Sequence, residues 1–119
     1  MTKKEYLKSL DKVKIDGKKV KKIEKLYTKD LPEIIQKIIS CADETVFFDD
    51  DTRMLSFDEI VDAREDLHVD FTDKGIIPLA DFGENDFLVY HFEDGIWSMF
   101  NIEDELAFKK KNKLEDLML

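Results

Sequence analysis

Three carboxylates stand in a row behind an apolar run, Val46-Phe47-Phe48-Asp49-Asp50-Asp51-Thr52. An aspartate at a strand end, with a second aspartate two residues on and a threonine four residues on, is how a phosphoryl-accepting nucleophile loop is built. That register fails here, because counting from Asp49 puts Arg53 where the threonine belongs. A calcium loop needs acids at alternate positions, then a glycine, then a distant glutamate. Asp49 and Asp51 fit its start, but Arg53 and Met54 occupy the third ligand and the glycine. Asp81, Glu84 and Asp86 surround a second candidate turn and would hold a divalent cation only weakly. Acids are ordinary turn residues, so both clusters read as solvated turns. No metal and no cofactor are expected.

The nucleophile inventory is short. Cys41 is the single cysteine, which excludes an intramolecular disulfide framework and a cysteine-based zinc site. It closes an isoleucine-rich segment with no histidine beside it, and reads as a small core residue. His68 and His91 are far apart in sequence, and His91 lies on a strand that reads as buried. No Gly-x-Ser-x-Gly, glycine-rich phosphate loop or His-Glu-x-x-His pattern occurs. The residues therefore do not argue for an enzyme. Lys18-Lys19-Val20-Lys21-Lys22-Ile23-Glu24-Lys25 is a basic segment that could touch phosphates or an anionic membrane. It reads more simply as the solvated face of a helix. With no stacking motif and no recognition helix, neither nucleic acid nor membrane is expected as a partner.

The elements that must carry these residues fit one domain. A chain of 119 residues buries roughly two-thirds of its unfolded surface, enough for a single core. An apolar fraction of 43% with nine Phe excludes a disordered chain, and four Gly with two Pro exclude collagen and low-complexity linkers. No apolar run is long enough to span a bilayer, and no apolar stretch follows the first lysines as in a secretory signal. The expected location is the cytoplasm. Charge is distributed unevenly. Residues 1–29 hold eleven lysines against four acids, residues 30–108 hold four basic residues against 22 acids, and residues 109–119 hold four lysines against two acids. A basic head, an acidic body and a short basic tail follow. The acidic body repels nucleic acid and steers basic partners toward itself. Internal neutralisation of head by body is the plainer reading of the same pattern.

Thr2 caps a first helix, with Tyr6, Leu7, Leu10 and Val13 at helical spacing. Asp16-Gly17 is a break before a second helix carrying Val20, Ile23, Leu26 and Tyr27. Asp30 caps a third, with Leu31 and Pro32 in its first turn and Leu31, Ile34, Ile35, Ile38 and Ile39 as its buried stripe. Thr45 to Phe48 reads as a buried strand and Arg53-Met54-Leu55 as a short return. Ser56-Phe57-Asp58-Glu59 is a capping box opening a helix to about Leu67. Ile76 to Ala80, Asp86 to Phe92 and Ile96 to Phe100 read as antiparallel strands, with Pro78 at an edge or bulge and Asp86 to Phe92 central. Asn112 caps a closing helix over Lys113 to Leu119. The order indicates an α+β fold: N-terminal helices on a single, mainly antiparallel sheet, with a C-terminal helix.

From Ile23 onward the chain resembles the SUKH superfamily, the Smi–Knr-type domains. Ile23-Glu24-Lys25-Leu26 and Leu31-Pro32-Glu33-Ile34-Ile35-Gln36-Lys37-Ile38 are similar to that family's first helix and the Leu-Pro start of its second. Arg53-Met54-Leu55-Ser56-Phe57-Asp58-Glu59-Ile60 is similar to its strand-then-helix stretch. The longest match runs Ile76-Ile77-Pro78-Leu79-Ala80-Asp81-Phe82-Gly83-Glu84-Asn85-Asp86-Phe87-Leu88-Val89-Tyr90, an apolar-Pro-apolar-Ala strand, a glycine turn and an Asp opening the next strand. Gly95-Ile96-Trp97 and the closing segment also fall in place. Ser40-Cys41-Ala42-Asp43-Glu44 departs from the pattern, lacking the aromatic-Asn-Gly-Gly turn that many members have there. The resemblance implies a single domain over residues 23–119, preceded by a lysine-rich helical extension over residues 1–22. It also implies a non-catalytic binding protein. Bacterial members resemble immunity proteins that neutralise nuclease-like or deaminase-like toxins, and fungal relatives resemble regulatory interaction modules. An immunity protein occluding a basic toxin is the expected function, with Asp49, Asp50, Asp51, Asp81, Glu84 and Asp86 as contact residues and Glu93 and Asp94 behind them. A regulatory module with no toxin partner is the alternative, and a hydrolase using the Asp49–Asp51 loop is a remoter one.

Overall fold

A computed structural model describes residues 1–118, with Leu119 outside the described residues. Helix α1 spans Lys3–Ser9. Its start is a reciprocal capping box: the Thr2 hydroxyl accepts from the Glu5 N–H at 3.1 Å, and the Glu5 carboxylate accepts from the Thr2 N–H at 2.8 Å. A 3-10 turn, Leu10–Lys12, continues it. Asp16, expected as a simple break, caps α2 (Gly17–Tyr27) by accepting from the Lys18 and Lys19 N–H groups. Val20, Ile23 and Tyr27 turn inward, but Leu26, expected on the same stripe, is 42% exposed. Helix α3 spans Glu33–Ser40, and its cap is Pro32 rather than Asp30. The Leu31 N–H is used elsewhere, donating to the Glu24 carboxylate at 2.9 Å and closing the corner between α2 and α3. Ile35, Ile38 and Ile39 are fully buried, as their spacing predicts.

Six strands form one antiparallel sheet in strict sequence order: β1 Val46–Phe47, β2 Arg53–Met54, β3 Ile76–Asp81, β4 Asp86–His91, β5 Ile96–Asn101 and β6 Leu106–Lys111. The class is α+β, as expected. Phe87, Leu88 and Val89 of β4 are all buried. Successive strand side chains point to opposite faces, so both faces of the sheet are covered at its centre. Pro78 sits beside a register shift against β4. The partner strand β2 reaches only Ala80 and Asp81, so a proline costs no ladder bond on that side.

Several elements differ from expectation. The first strand is a two-residue edge, and Phe47 is 66% exposed while Phe48 is buried. The helix opened by the Ser56–Glu59 box breaks at Asp62 into α4 (Phe57–Val61) and α5 (Ala63–Leu67), and a short α6 (Phe71–Lys74) follows. The strand β6 was not legible in the sequence. Beyond it the chain forms a 3-10 turn, Leu114–Asp116, where a helix from Lys113 to Leu119 was expected. The head is also no appendage. The expected boundary after residue 22 falls inside α2, and Tyr6, Leu10, Val20 and Ile23 share one core cluster with β3, β4 and β5. Among the described residues, no helix is long and apolar enough to cross a membrane.

Candidate protein-binding end of the sheet

A meander places alternate turns at the same end of its sheet. The turns joining β1 to β2, β3 to β4 and β5 to β6 therefore lie together. Hydrogen bonds link them. The Ile102 N–H donates to the Asn85 carbonyl at 2.9 Å, and the Asn101 amide donates to the Asp86 carboxylate at 2.9 Å. The same Asn101 side chain accepts the Glu103 and Asp104 N–H groups, at 3.1 and 2.9 Å, which folds the β5–β6 turn back on itself. Lys3 joins the other two turns. Its ammonium is paired with the Asp50 carboxylate of the first turn and lies 4.5 Å from the ring centre of Phe82 in the second.

Of the eight carboxylates expected as contact residues, six meet at this end. Asp49 accepts from the Met1 amine at 2.9 Å. Asp50 is bonded by Lys3 and by the Thr52 hydroxyl and N–H, and these donors hold its carboxyl well below the usual range. Asp51, in left-handed backbone at φ 67, is exposed. Asp81 caps the second turn by accepting from the Gly83 N–H at 2.9 Å, and Arg53 approaches it at 3.6 Å. Glu84, also left-handed at φ 55, is exposed. Asp86 is half-buried against Asn101. Glu93 and Asp94 do not join them: the β4–β5 turn that holds them lies at the opposite end of the strands. Three acids the sequence reading passed over take their place. Glu103, Asp104 and Glu105 form the turn before the unforeseen β6, with Lys74 bonded to Glu105 at 3.0 Å. Of these nine carboxylates, Asp49, Asp50, Asp81 and Glu105 are paired, with the Met1 amine, Lys3, Arg53 and Lys74 respectively. Asp51, Glu84, Asp86, Glu103 and Asp104 carry no ion pair among the described residues.

Arg53 fixes this end to the helices. Its guanidinium bonds the Glu59 carboxylate at 2.8 Å. Partial burial alone would raise the Glu59 pKa. The Arg53 charge, the Ser56 N–H and the Thr45 hydroxyl outweigh it and bring the carboxyl down to about 2. The capping box foreseen from sequence is thus also the anchor of Arg53, and through it of Asp81.

Neutralisation of the head by the body is slight. Of the eleven head lysines, Lys3 and Lys19 form ion pairs with body acids, Asp50 and Asp43. The Lys18, Lys21, Lys22 and Lys25 side chains run along the exposed face of α2 without an ion pair among the described residues. Two concave regions flank Lys3. One, of about 400 Å³, is lined by Phe82, Asp86, Met99, Phe108, Lys109 and Asp116, among others. The second, of about 380 Å³, is lined chiefly by Phe48, Lys4, Asp49 and Met118. Lys3 and Asp50 belong to both walls.

Of the remaining chemical candidates, His68 is exposed at the left-handed end of α5, while Cys41 and His91 are packed into the fold. Cys41 touches the Tyr6 hydroxyl at 3.9 Å and the Ile38 carbonyl at 3.5 Å, and burial pushes its thiol pKa up, away from nucleophilic use at neutral pH. The His91 Nε2 lies 2.7 Å from the Ser98 Oγ, a pair the sequence spacing did not announce because it depends on the β4–β5 register. Ser98 is fully buried, so this contact satisfies a sealed hydroxyl and presents no nucleophile. Among the described residues, no three His, Cys, Asp or Glu side chains are grouped to hold a metal ion. No protein-family model and no curated protein matches this chain.

Proposed function

We propose that the chain is a non-catalytic binding protein that uses the acidic three-turn end of its sheet to occlude a basic protein. The observation that carries this reading is the convergence of the β1–β2, β3–β4 and β5–β6 turns, five of whose carboxylates have no cationic partner among the described residues. Unpaired surface carboxylates on hydrogen-bonded turns form a preorganised negative surface, which raises association rates and selects basic partners. The likeness to Smi–Knr-type domains supports the immunity form of this reading, in which the partner is a nuclease-like or deaminase-like toxin with a basic active-site surround. The acids would stand in for the phosphates such a toxin binds. The Lys109-Lys110-Lys111 run leads along β6 away from the acidic end, with Lys111 beside Trp97 near the β4–β5 turn, and it would repel a basic partner that slid along the sheet edge.

The test is co-expression with the products of adjacent reading frames. A complex that copurifies, and that protects cells from a basic product which kills them alone, supports the reading. Recovery of the chain by itself, with no protection, contradicts it and moves the function to a regulatory module.

A further inference from the structure

The acidic end contains one cation in an unusual setting. The Lys3 side chain is only 12% exposed, although lysines on a first helical turn ordinarily extend into water. Its ammonium faces the Phe82 ring at 4.5 Å and the Phe48 ring at 5.9 Å, and pairs with Asp50. Aromatic faces and a carboxylate around one ammonium form the recognition chemistry of a lysine side chain. Lys3 and Asp50 line the concave regions on both sides, and the two regions with the lysine between them make up one groove. The groove opens among the carboxylates where a basic protein would dock. The region that Phe82 lines also carries Phe108 and two carboxylates, Asp86 and Asp116, against one further lysine, Lys109.

We propose that this groove is a receptor for a lysine side chain of the basic partner, and that Lys3 is a resident surrogate which leaves when the partner's lysine enters. The proposal rests on the reading that a basic protein docks at the acidic end, and it names the contact made there. Exchange of one ammonium for another keeps Asp50 paired and both rings covered, so the swap leaves no buried charge unmatched. A surrogate that fills the groove nine-tenths of the time lowers the apparent affinity of an incoming lysine about tenfold.

The experiment needs no natural partner. The probe is N-acetyl-lysine methylamide, with the norleucine analogue as an uncharged control of nearly the same shape. In the wild-type protein, the Lys3 ε-methylene signal should be shifted by the Phe82 ring current, because the ammonium lies 4.5 Å from the ring centre. Saturating lysine probe should return it to its solvent position, and the norleucine analogue should not. In K3A the groove is vacant, and the probe should bind about tenfold tighter than to wild type, moving the Phe82 ring signals. Adding Phe82→Ala to K3A should remove that binding. Equal affinities for wild type and K3A, or equal shifts from the two analogues, would overturn the proposal. If K3A does not fold, the wild-type displacement decides alone. A failed probe with an intact, salt-sensitive partner complex removes this contact and spares the acidic-end reading. A bound probe with no partner complex does the reverse.

Discussion

Glu59 offers a test of whether Arg53 holds the acidic end to the helices. Its carboxylate caps α4, accepting from the Ser56 N–H at 3.0 Å, and also binds Arg53 and the Thr45 hydroxyl. Glu59→Gln keeps an acceptor for the cap, because glutamine also serves at that position, and removes the charge. The carboxyl drops from an ordinary 4.5 to about 2 in the folded state. Fully sheltered, that difference would correspond to roughly 3 kcal/mol. Glu59 is 35% exposed, so solvent screening reduces the expected loss to about 1 kcal/mol. The melting temperature should fall by about 4 °C. The sign with pH follows from the depressed folded value. Between the two pKa values the unfolded chain binds more protons, so wild-type stability from this group is complete above the unfolded value of 4.5 and is lost as pH falls toward 2. Urea unfolding of wild type and E59Q at neutral pH, and at several points down to about pH 2.5, should show the gap narrowing with acid. A gap that is unchanged across that range, or absent at neutral pH, would refute the assignment of Glu59 as the anchor.

Three further outcomes follow from the geometry. Gly83 has φ 90 and open space where a Cβ would stand, so Gly83→Ala should cost about 1–2 kcal/mol from backbone strain alone, read by urea unfolding. Lys21 on the exposed face of α2 has Lys18 and Lys25 as its helical neighbours. Lys21→Glu should therefore raise stability by about 0.5 kcal/mol at low ionic strength, and the gain should fade in high salt. Cys41 should react with a disulfide reagent at neutral pH more slowly than free cysteine, because burial holds its thiol protonated, and catch up when the chain is unfolded.

Local chemistry was legible wherever the sequence itself completes the interaction. The Thr2–Glu5 and Ser56–Glu59 boxes, the isoleucine stripe of α3 and the Gly83 and Gly95 turns each depend on residues within a few positions of one another. What escaped notice depends on distant partners. Strand β6 has three apolar residues followed by three lysines, and only its register against β5 makes it a strand. Without β6, Glu103, Asp104 and Glu105 have no turn to occupy, and the candidate site lacks a third of its perimeter. Charge alone groups Glu93 and Asp94 with the other acids, but strand direction carries them to the far end. Residue type alone places Phe47 in the core, but the two-residue edge strand leaves it exposed. The head was set apart by its lysines, yet Tyr6 packs edge-on against Phe48, with ring centres 5.7 Å apart, and ties α1 to the first acidic turn.

The affinity of the chain for the basic product of an adjacent reading frame, measured across a range of salt concentrations for wild type and for D51K/E84K/D104K, bears most directly on the acidic end as the binding surface. The three replacements alter exposed turn residues. Wild-type binding should weaken steeply with salt, and the variant should lose about a hundredfold at low salt and show a shallower slope. Equal affinities and equal slopes would place the interface elsewhere on the molecule and contradict the account.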